Sequence, residues 1–96
     1  MKKTFVVNVD ETEIRELERA WYECNSTKEI LGFLASQATT LPDTLQQYTD
    51  LFDVRFTKCE MLKTAIAKKY KPDEVDLNTF NFMFDFNENK LTFTEA

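Results

Sequence analysis

Four phenylalanines at alternate positions near the end of the chain constrain its fold more than any other feature. Phe80, Phe82, Phe84 and Phe86 recur at every second residue. In an extended strand this spacing places all four rings on one face of a sheet, whereas a helix would distribute them around its axis. Rings of this size need a covering surface. We therefore predict a β-strand whose phenyl face packs against the rest of the chain.

This strand is predicted to be one half of a hairpin that spans residues 78–94. Residues 87–90 read Asn-Glu-Asn-Lys and interrupt the apolar pattern with turn-forming side chains. Leu91 and Phe93 then resume the alternation, as expected for a strand that folds back on its neighbour. A two-stranded hairpin is marginal by itself in water. Other parts of the chain must therefore complete the sheet and cover it.

A further strand is predicted at the start of the chain, over residues 4–9. Phe5, Val7 and Val9 face one way, and the β-branched residues favour an extended backbone. We expect this strand to join the C-terminal hairpin in a three-stranded sheet. An N-terminal or C-terminal strand in such a sheet has a free edge, and protection by Lys or Pro is sparse in residues 4–10. An extended peptide can therefore add to it through main-chain hydrogen bonds.

The first predicted helix runs from Thr12 to about residue 37. Asp10 can cap its first turn, and Glu13, three residues later, can reach back to the cap. Polar residues interrupt the apolar stripe near Asn25, so a continuous helix and a helix with a kink or short break both stay open. The apolar residues recur at steps of three and four, and they include Ile14, Leu17, Trp21, Cys24, Leu31 and Leu34.

The second predicted helix follows a connection at residues 38–42 and covers residues 43–70. Lysines in its last turn suit the negative end of the helix dipole, and Pro72 stops the helix. Its apolar stripe is the strongest helical signal in the chain. The stripe consists of Leu45, Tyr48, Phe52, Phe56, Cys59, Leu62, Ile66 and Tyr70, with Leu51, Met61 and Ala65 beside it.

The order β-α-α-β-β indicates a single α+β domain over residues 1–96, with two layers. A long antiparallel helical hairpin is predicted to pack on a small three-stranded antiparallel sheet. A helix of about 28 residues is about 40 Å long, whereas a strand of about seven residues covers about 23 Å. The helices therefore extend beyond the sheet. We expect the overhanging end to offer an apolar patch to a partner, formed by Leu31, Phe33, Leu34, Leu41, Leu45 and Tyr48.

Aromatic residues in the first helix suggest one more contact residue. Trp21 is in phase with Leu17 and Cys24, which predicts a core position, while Tyr22 and Arg15 are expected to face solvent. Exposed Tyr and Arg side chains are common interface anchors. Tyr22 therefore joins the predicted partner-binding residues.

Charge and cysteine usage narrow the function classes. The formal charge is −5 and the chain has no His, so the commonest general base and metal ligand is missing. Negative charge also disfavours nucleic acid as a partner. Cys24 and Cys59 stand apart, outside any zinc or redox motif; two reduced core thiols and a disulfide both stay open. We expect a cytoplasmic, non-catalytic protein with no cofactor, no metal and no membrane segment.

The order of elements and two local sequences resemble a known family. A strand leads into a Glu-rich helix, a long second helix ends in Lys69-Tyr70, and the last hairpin reads Phe82-Met83-Phe84-Asp85-Phe86-Asn87 and then Leu91-Thr92-Phe93. This pattern resembles the small accessory proteins of CXXX repeat peptide modification systems, which accompany radical SAM enzymes that modify ribosomally made peptides. The resemblance implies a non-catalytic subunit that binds the radical SAM enzyme, its precursor peptide, or both. It assigns no catalytic residues.

Two other function classes fit the same sequence. A small acidic inhibitor of the anti-CRISPR type would use its carboxylates in place of phosphates and occlude a nucleic-acid channel. A structural homodimer would pair two helical hairpins in a four-helix bundle. The three classes differ in whether the apolar overhang, the acidic charge or a second copy of the chain carries the interaction.

Overall fold

The computed structural model describes residues 2–37 and 39–96 and confirms the predicted α+β architecture. Its elements are, in chain order, β1 (Thr4–Asn8), α1 (Glu11–Ala35), α2 (Pro42–Tyr70), β2 (Phe80–Asp85) and β3 (Lys90–Glu95). The three strands form one antiparallel sheet in the order β1-β3-β2. The two helices form a hairpin that packs on one face of this sheet.

The register of the sheet separates an inner face from an outer face. Phe5 of β1 lies opposite Phe93 of β3, which lies opposite Phe82 of β2, and these three residues form one row of the inner face. The central strand is covered best, since the side chains of Leu91 and Phe93 are 0% exposed. The alternation of phenylalanines thus predicts the inner face correctly, and the predicted third strand is present.

The helices begin and end near the predicted residues. The Asp10 side chain accepts a hydrogen bond from the backbone N–H of Thr12 at 3.0 Å, as expected for a capping residue. The predicted return contact from Glu13 is wrong, because the Glu13 carboxylate instead pairs with Lys69 of α2. The helix α1 is continuous through Asn25, so a break there is excluded. In the connection predicted at residues 38–42, residue 38 lies outside the described residues.

The hydrophobic core lies at one end of the helical hairpin, under the sheet. Val75, in the loop between α2 and β2, also contributes a buried side chain. The backbone N–H of Asp10 donates to the hydroxyl of Tyr70 at 3.1 Å, which fastens the start of α1 to the end of α2. The largest buried apolar side chains are Ile14, Leu17, Ile66, Phe80, Leu91 and Phe93.

The helices extend well beyond the sheet, as predicted. At 1.5 Å per residue α2 is about 43 Å long, whereas a strand of six residues spans about 20 Å, and the longest dimension of the molecule is 52 Å. Among the described residues from 23 to 58, the only buried side chain is Thr27. The overhanging half of the hairpin therefore has no apolar core of its own.

Several apolar residues predicted in or beside the buried stripes are exposed. The core position predicted for Trp21 is wrong, because 39% of its surface is accessible. Cys24 is half-buried, whereas Cys59 is buried, and both thiols are free. Leu51 lies in the overhang beyond the sheet, whereas Met61 and Ala65 share their turns with the buried residues Cys59 and Ile66 and lie on the exposed flank of the stripe. The exposed stripe residues of α2 are Leu51, Phe56, Met61 and Ala65.

Candidate binding surfaces

The overhanging end of the hairpin presents a partly uncovered apolar surface, here named the tip patch. Phe33 is 65% exposed and Leu41 is 68% exposed, and the other four members are half-buried between the helices. Ile30 of α1 and Val54 of α2 add further exposed apolar surface nearby in the chain. The members of the tip patch are Leu31, Phe33, Leu34, Leu41, Leu45 and Tyr48.

Acidic residues predominate in this region. Between Ile30 and Val54 the charged residues are Asp43, Asp50 and Asp53, and Lys28, Glu29 and Arg55 border this range. Asp50 accepts a hydrogen bond from the side-chain amide of Gln46 at 2.8 Å, and both residues are exposed. The tip patch is therefore apolar with acidic surroundings.

Tyr22 lies outside the tip patch. It precedes Leu31 by nine positions, which is about 13 Å along the helix axis. Its ring is exposed and makes an edge-to-face contact with Trp21, with 5.0 Å between ring centroids. The structure thus gathers six of the seven predicted partner-binding residues at the tip and places Tyr22 nearer to the sheet.

A second concave surface lies where the sheet ends and the helices continue, and we name it the aromatic cleft. Two adjoining cavities of about 340 and 160 Å³ share Trp21, Glu60 and Lys63 in their walls. One cavity extends along β2 and the other between the helices. The aromatic residues that line the cleft are Trp21, Phe52, Phe56, Phe82, Phe84 and Phe86.

Aromatic contacts fix the walls of the cleft. The ring of Trp21 lies 6.3 Å from that of Phe86, centroid to centroid, which joins α1 to the end of β2. Phe82 and Phe84 meet edge to face at 6.0 Å on the strand itself. Such pairs contribute beyond the apolar area that they bury, so these rings hold their positions.

The polar residues that line the cleft are Asn25, Lys28, Glu60 and Lys63, and two of them form an ion pair. Lys63 Nζ lies 3.2 Å from Glu60 Oε1, and both side chains are partly accessible. Burial raises the pKa of the Cys59 thiol, Lys63 partly opposes that effect, and Cys24 and Glu60 add to it. A thiol with a raised pKa is a poor nucleophile at neutral pH. The cleft is thus suited to binding apolar side chains.

A shallow apolar hollow of about 520 Å³ lies along α2. Its walls include Phe56, Met61 and Ala65, and all of them come from this one helix. It continues the row of exposed apolar residues on α2 away from the tip patch. We regard it as an extension of the helical surface, since no second element closes it.

Within residues 2–37 and 39–96, no group of three or more His, Cys, Asp or Glu side chains is placed to hold a metal ion. In the same part of the chain, neither helix has a stretch long and apolar enough to span a bilayer.

Comparison with protein-family models, with curated proteins and with solved structures finds no match to this chain.

Sequence reasoning did not identify the aromatic cleft. The periodicity of a core residue applies to Trp21, Phe56 and Phe86 alike. A local sequence pattern does not define where the sheet ends along the helices. One signal was available: the predicted helix length exceeded the strand length by about 17 Å. Applied to individual turns, that difference predicts that residues just beyond the sheet are partly exposed.

Proposed function

We propose that this chain is a non-catalytic binding protein that docks its tip patch on another protein. The observation that carries the proposal is the uncovered apolar surface of the overhang. Phe33 and Leu41 are mostly exposed there, and since Thr27 is the one buried side chain among the described residues from 23 to 58, the overhang has no core that could take them up. Exposed apolar surface of this kind, flanked by polar residues, marks interaction sites.

The chemistry of the patch favours a partner with an apolar centre and a basic rim. The charged residues nearest to the tip patch in sequence are Glu29, Asp43 and Asp50, and the nearest cation is Lys28. In a two-fold symmetric dimer the same surface meets itself, which would bring acidic side chains of both copies together. A different protein with Lys or Arg around an apolar depression avoids that repulsion. We therefore favour a heterologous partner over a homodimer.

The family resemblance supplies the partners to test first. They are a radical SAM enzyme and the precursor peptide that it modifies, with this chain as the accessory subunit that holds or presents one to the other. In this proposal the chain contributes surface only, and the partner enzyme and its cofactor carry out the chemistry.

The experiment compares Phe33→Asp with Val6→Asp in binding to a radical SAM enzyme and a precursor peptide from the same genomic neighbourhood. Both substitutions replace an exposed apolar side chain by a carboxylate, but Val6 lies on the outer face of the sheet in β1, away from the tip. We expect Phe33→Asp to weaken partner binding at least about tenfold, as for a residue in the centre of an interface. Val6→Asp should bind as the parent chain does, and circular dichroism should show both variants folded.

Equal binding by the two variants would refute the proposal. Light scattering after size-exclusion chromatography tests the homodimer on the same samples. A dimer of the parent chain that Phe33→Asp converts to a monomer would replace the heterologous partner by a second copy of this chain. A steep loss of affinity with salt, unaffected by Phe33→Asp, would instead favour the acidic inhibitor.

A further inference from the structure

The edge of the sheet formed by β2 has an unused set of backbone hydrogen-bonding groups directly above the aromatic cleft. The N–H of Ala96 donates to the carbonyl of Thr79 at 2.9 Å, which fixes the phase of the ladder between β2 and β3. In an antiparallel pair the residues alternate between those that bond to the neighbour and those that point away. Asn81 and Met83 therefore bond to β3, and Phe82 and Phe84 direct their N–H and C=O groups to the open edge.

The open segment is short and has defined ends. The N–H of Phe80 is taken by the carbonyl of Asp76 at 2.9 Å, and the carbonyl of Phe86 accepts from the Arg15 guanidinium. Between these points, the described residues supply no hydrogen-bond partner to the N–H and C=O groups of Phe82 and Phe84. The side chains of the same two residues line the cleft.

At the other free edge, formed by β1, the residues with open backbone groups do not have side chains on the inner face. The N–H of Val9 donates to the carbonyl of Asn89, and the N–H of Glu95 to that of Lys3, each at 2.9 Å. The phase of this ladder leaves the backbone groups of Val6 and its even-numbered neighbours on the open edge of β1. Their side chains lie on the outer face, so a peptide added there would project side chains away from the helices. The sequence indicated β1 as the edge for peptide capture, and the structure favours β2.

We propose that β2 captures an extended peptide as a fourth, antiparallel strand whose alternate side chains enter the aromatic cleft. Peptide residues directly opposite Phe82 and Phe84 would exchange backbone hydrogen bonds with them and point to the same face of the sheet. That face opens to Trp21, Glu60 and Lys63. The site therefore selects a peptide with two apolar residues that are separated by one other residue. Pockets for alternate side chains give specificity in the same way in other complexes formed by strand addition.

Charge near β2 defines the flanks of the peptide. Residues 72–89 contain Asp73, Glu74, Asp76, Asp85 and Glu88, and Lys71, Lys90 and the Arg15 guanidinium at the Phe86 carbonyl border them, so acidic groups outnumber basic ones by five to three. Asp73, Glu74 and Asp76 precede β2, whereas Asp85 and Glu88 lie at its other end. A peptide with basic residues on both sides of its apolar pair would complement them. This inference goes beyond the proposed function, because the site shares no residue with the tip patch.

The test uses the synthetic peptide acetyl-KKTVTVTKK-amide and the intrinsic fluorescence of Trp21, the single tryptophan of the chain. The two valines are designed to lie opposite Phe82 and Phe84. We expect a saturable fluorescence change, because Trp21 lines the cleft. N-methylation of the two valine amides should weaken binding about tenfold or more, since it removes two backbone hydrogen bonds. N-methylation of the flanking threonine amides, which point away from β2, is the matched control and should change binding little.

Amide hydrogen exchange locates the peptide on the fold. We expect saturating peptide to slow exchange at Phe82 and Phe84 and to leave the Val6 amide on the β1 edge unchanged. Phe33→Asp should bind this peptide as the parent chain does, so the present inference and the proposed function can fail separately. The proposal would be overturned if the peptide does not bind, if it protects Val6 instead, or if the two N-methylated peptides have equal effects. It would also be overturned if high protein concentration without peptide protects Phe82 and Phe84, because self-association would then occupy this edge.

Discussion

The guanidinium of Arg55 donates a hydrogen bond of 2.6 Å from Nη1 to the hydroxyl oxygen of Thr27. This contact joins α2 to α1 in the overhang, where Thr27, at 1% exposure, is the one buried side chain among the described residues from 23 to 58. The same hydroxyl donates to the backbone carbonyl of Glu23 at 2.8 Å. A directional polar contact therefore sets the register of the helices where apolar packing is incomplete, and with it the arrangement of the tip patch.

We expect Thr27→Val to lower the free energy of unfolding by roughly 1–2 kcal/mol, because it keeps the side-chain shape but leaves the Arg55 guanidinium without its buried acceptor. Thr49→Val is the matched control. The Thr49 hydroxyl makes the same kind of hydrogen bond, to the carbonyl of Leu45 at 2.8 Å. Urea unfolding followed by circular dichroism measures both variants, and equal losses would show that the contact between the helices has no special role.

Much of the fold follows from local patterns. The alternation that ends in Leu91 and Phe93 predicts a hairpin and its buried face. Asp10 and Pro72 mark one helix start and one helix end, because a cap and a missing N–H act within a single turn. These features depend on neighbouring residues, and the sequence contains them in full.

The candidate surfaces depend on relations that a local pattern does not contain. Trp21 has the spacing of a core residue, yet whether it is covered depends on where the sheet ends. Arg15 was expected to face solvent, but its guanidinium reaches the carbonyl of Phe86 and the side chain of Asn89. Which strand edge adjoins the cleft depends on the strand order. The tip patch could be predicted because helix and strand lengths alone define it.

Arg15 is expected to stabilise the turn between β2 and β3. It contacts the carbonyl of Phe86 and the Oδ1 of Asn89, which has a positive φ of 55° in that turn. Arg15→Ala should reduce the free energy of unfolding by roughly 1.5–3 kcal/mol, as for hydrogen bonds from a charged group. Arg19→Ala, which replaces an exposed arginine one turn later in the same helix, should change it by less than about 0.5 kcal/mol.

Thermal unfolding measures both arginine variants, and amide exchange in residues 86–89 shows whether the loss is local. We expect faster exchange in these residues for Arg15→Ala. The same stability for both variants, with unchanged exchange in the turn, would contradict the role assigned to Arg15.

The two thiols should differ in reactivity. Burial raises the pKa of Cys59, so little thiolate forms there at neutral pH. Both cysteines line the aromatic cleft, but Cys24 is half-buried whereas Cys59 is buried. With iodoacetamide at pH 8 and mass-spectrometric detection, we expect Cys24 to be alkylated first. Preferential labelling of Cys59 would show that the two helices separate in the turns around Cys24 and Cys59.

The raised pKa of Cys59 also predicts a pH dependence. The folded-state pKa lies above that of the unfolded thiol, which is about 8.5. The protonated thiol therefore contributes stability that is fully present below about pH 8.5, and this is lost as the pH rises through the folded-state pKa. Cys59→Ala should reduce the decline in unfolding free energy above about pH 8.5. If the decline is the same in Cys59→Ala as in the parent chain, other titratable groups cause it.

The two faces of the sheet should respond differently to truncation. Phe93 is fully buried on the inner face of β3, whereas Met83 is 75% exposed on the outer face of β2. Phe93→Ala should cost about 3–5 kcal/mol, through lost burial and the cavity that remains. Met83→Ala should change the free energy of unfolding by less than about 0.5 kcal/mol. Met83 lies opposite Thr92 across the ladder, on the outer face that the chain itself does not cover. Urea unfolding at several protein concentrations measures the effect of Met83→Ala. A large loss of unfolding free energy in this variant would mean that another molecule covers the outer face. A cost that rises with protein concentration would identify that molecule as a second copy of this chain.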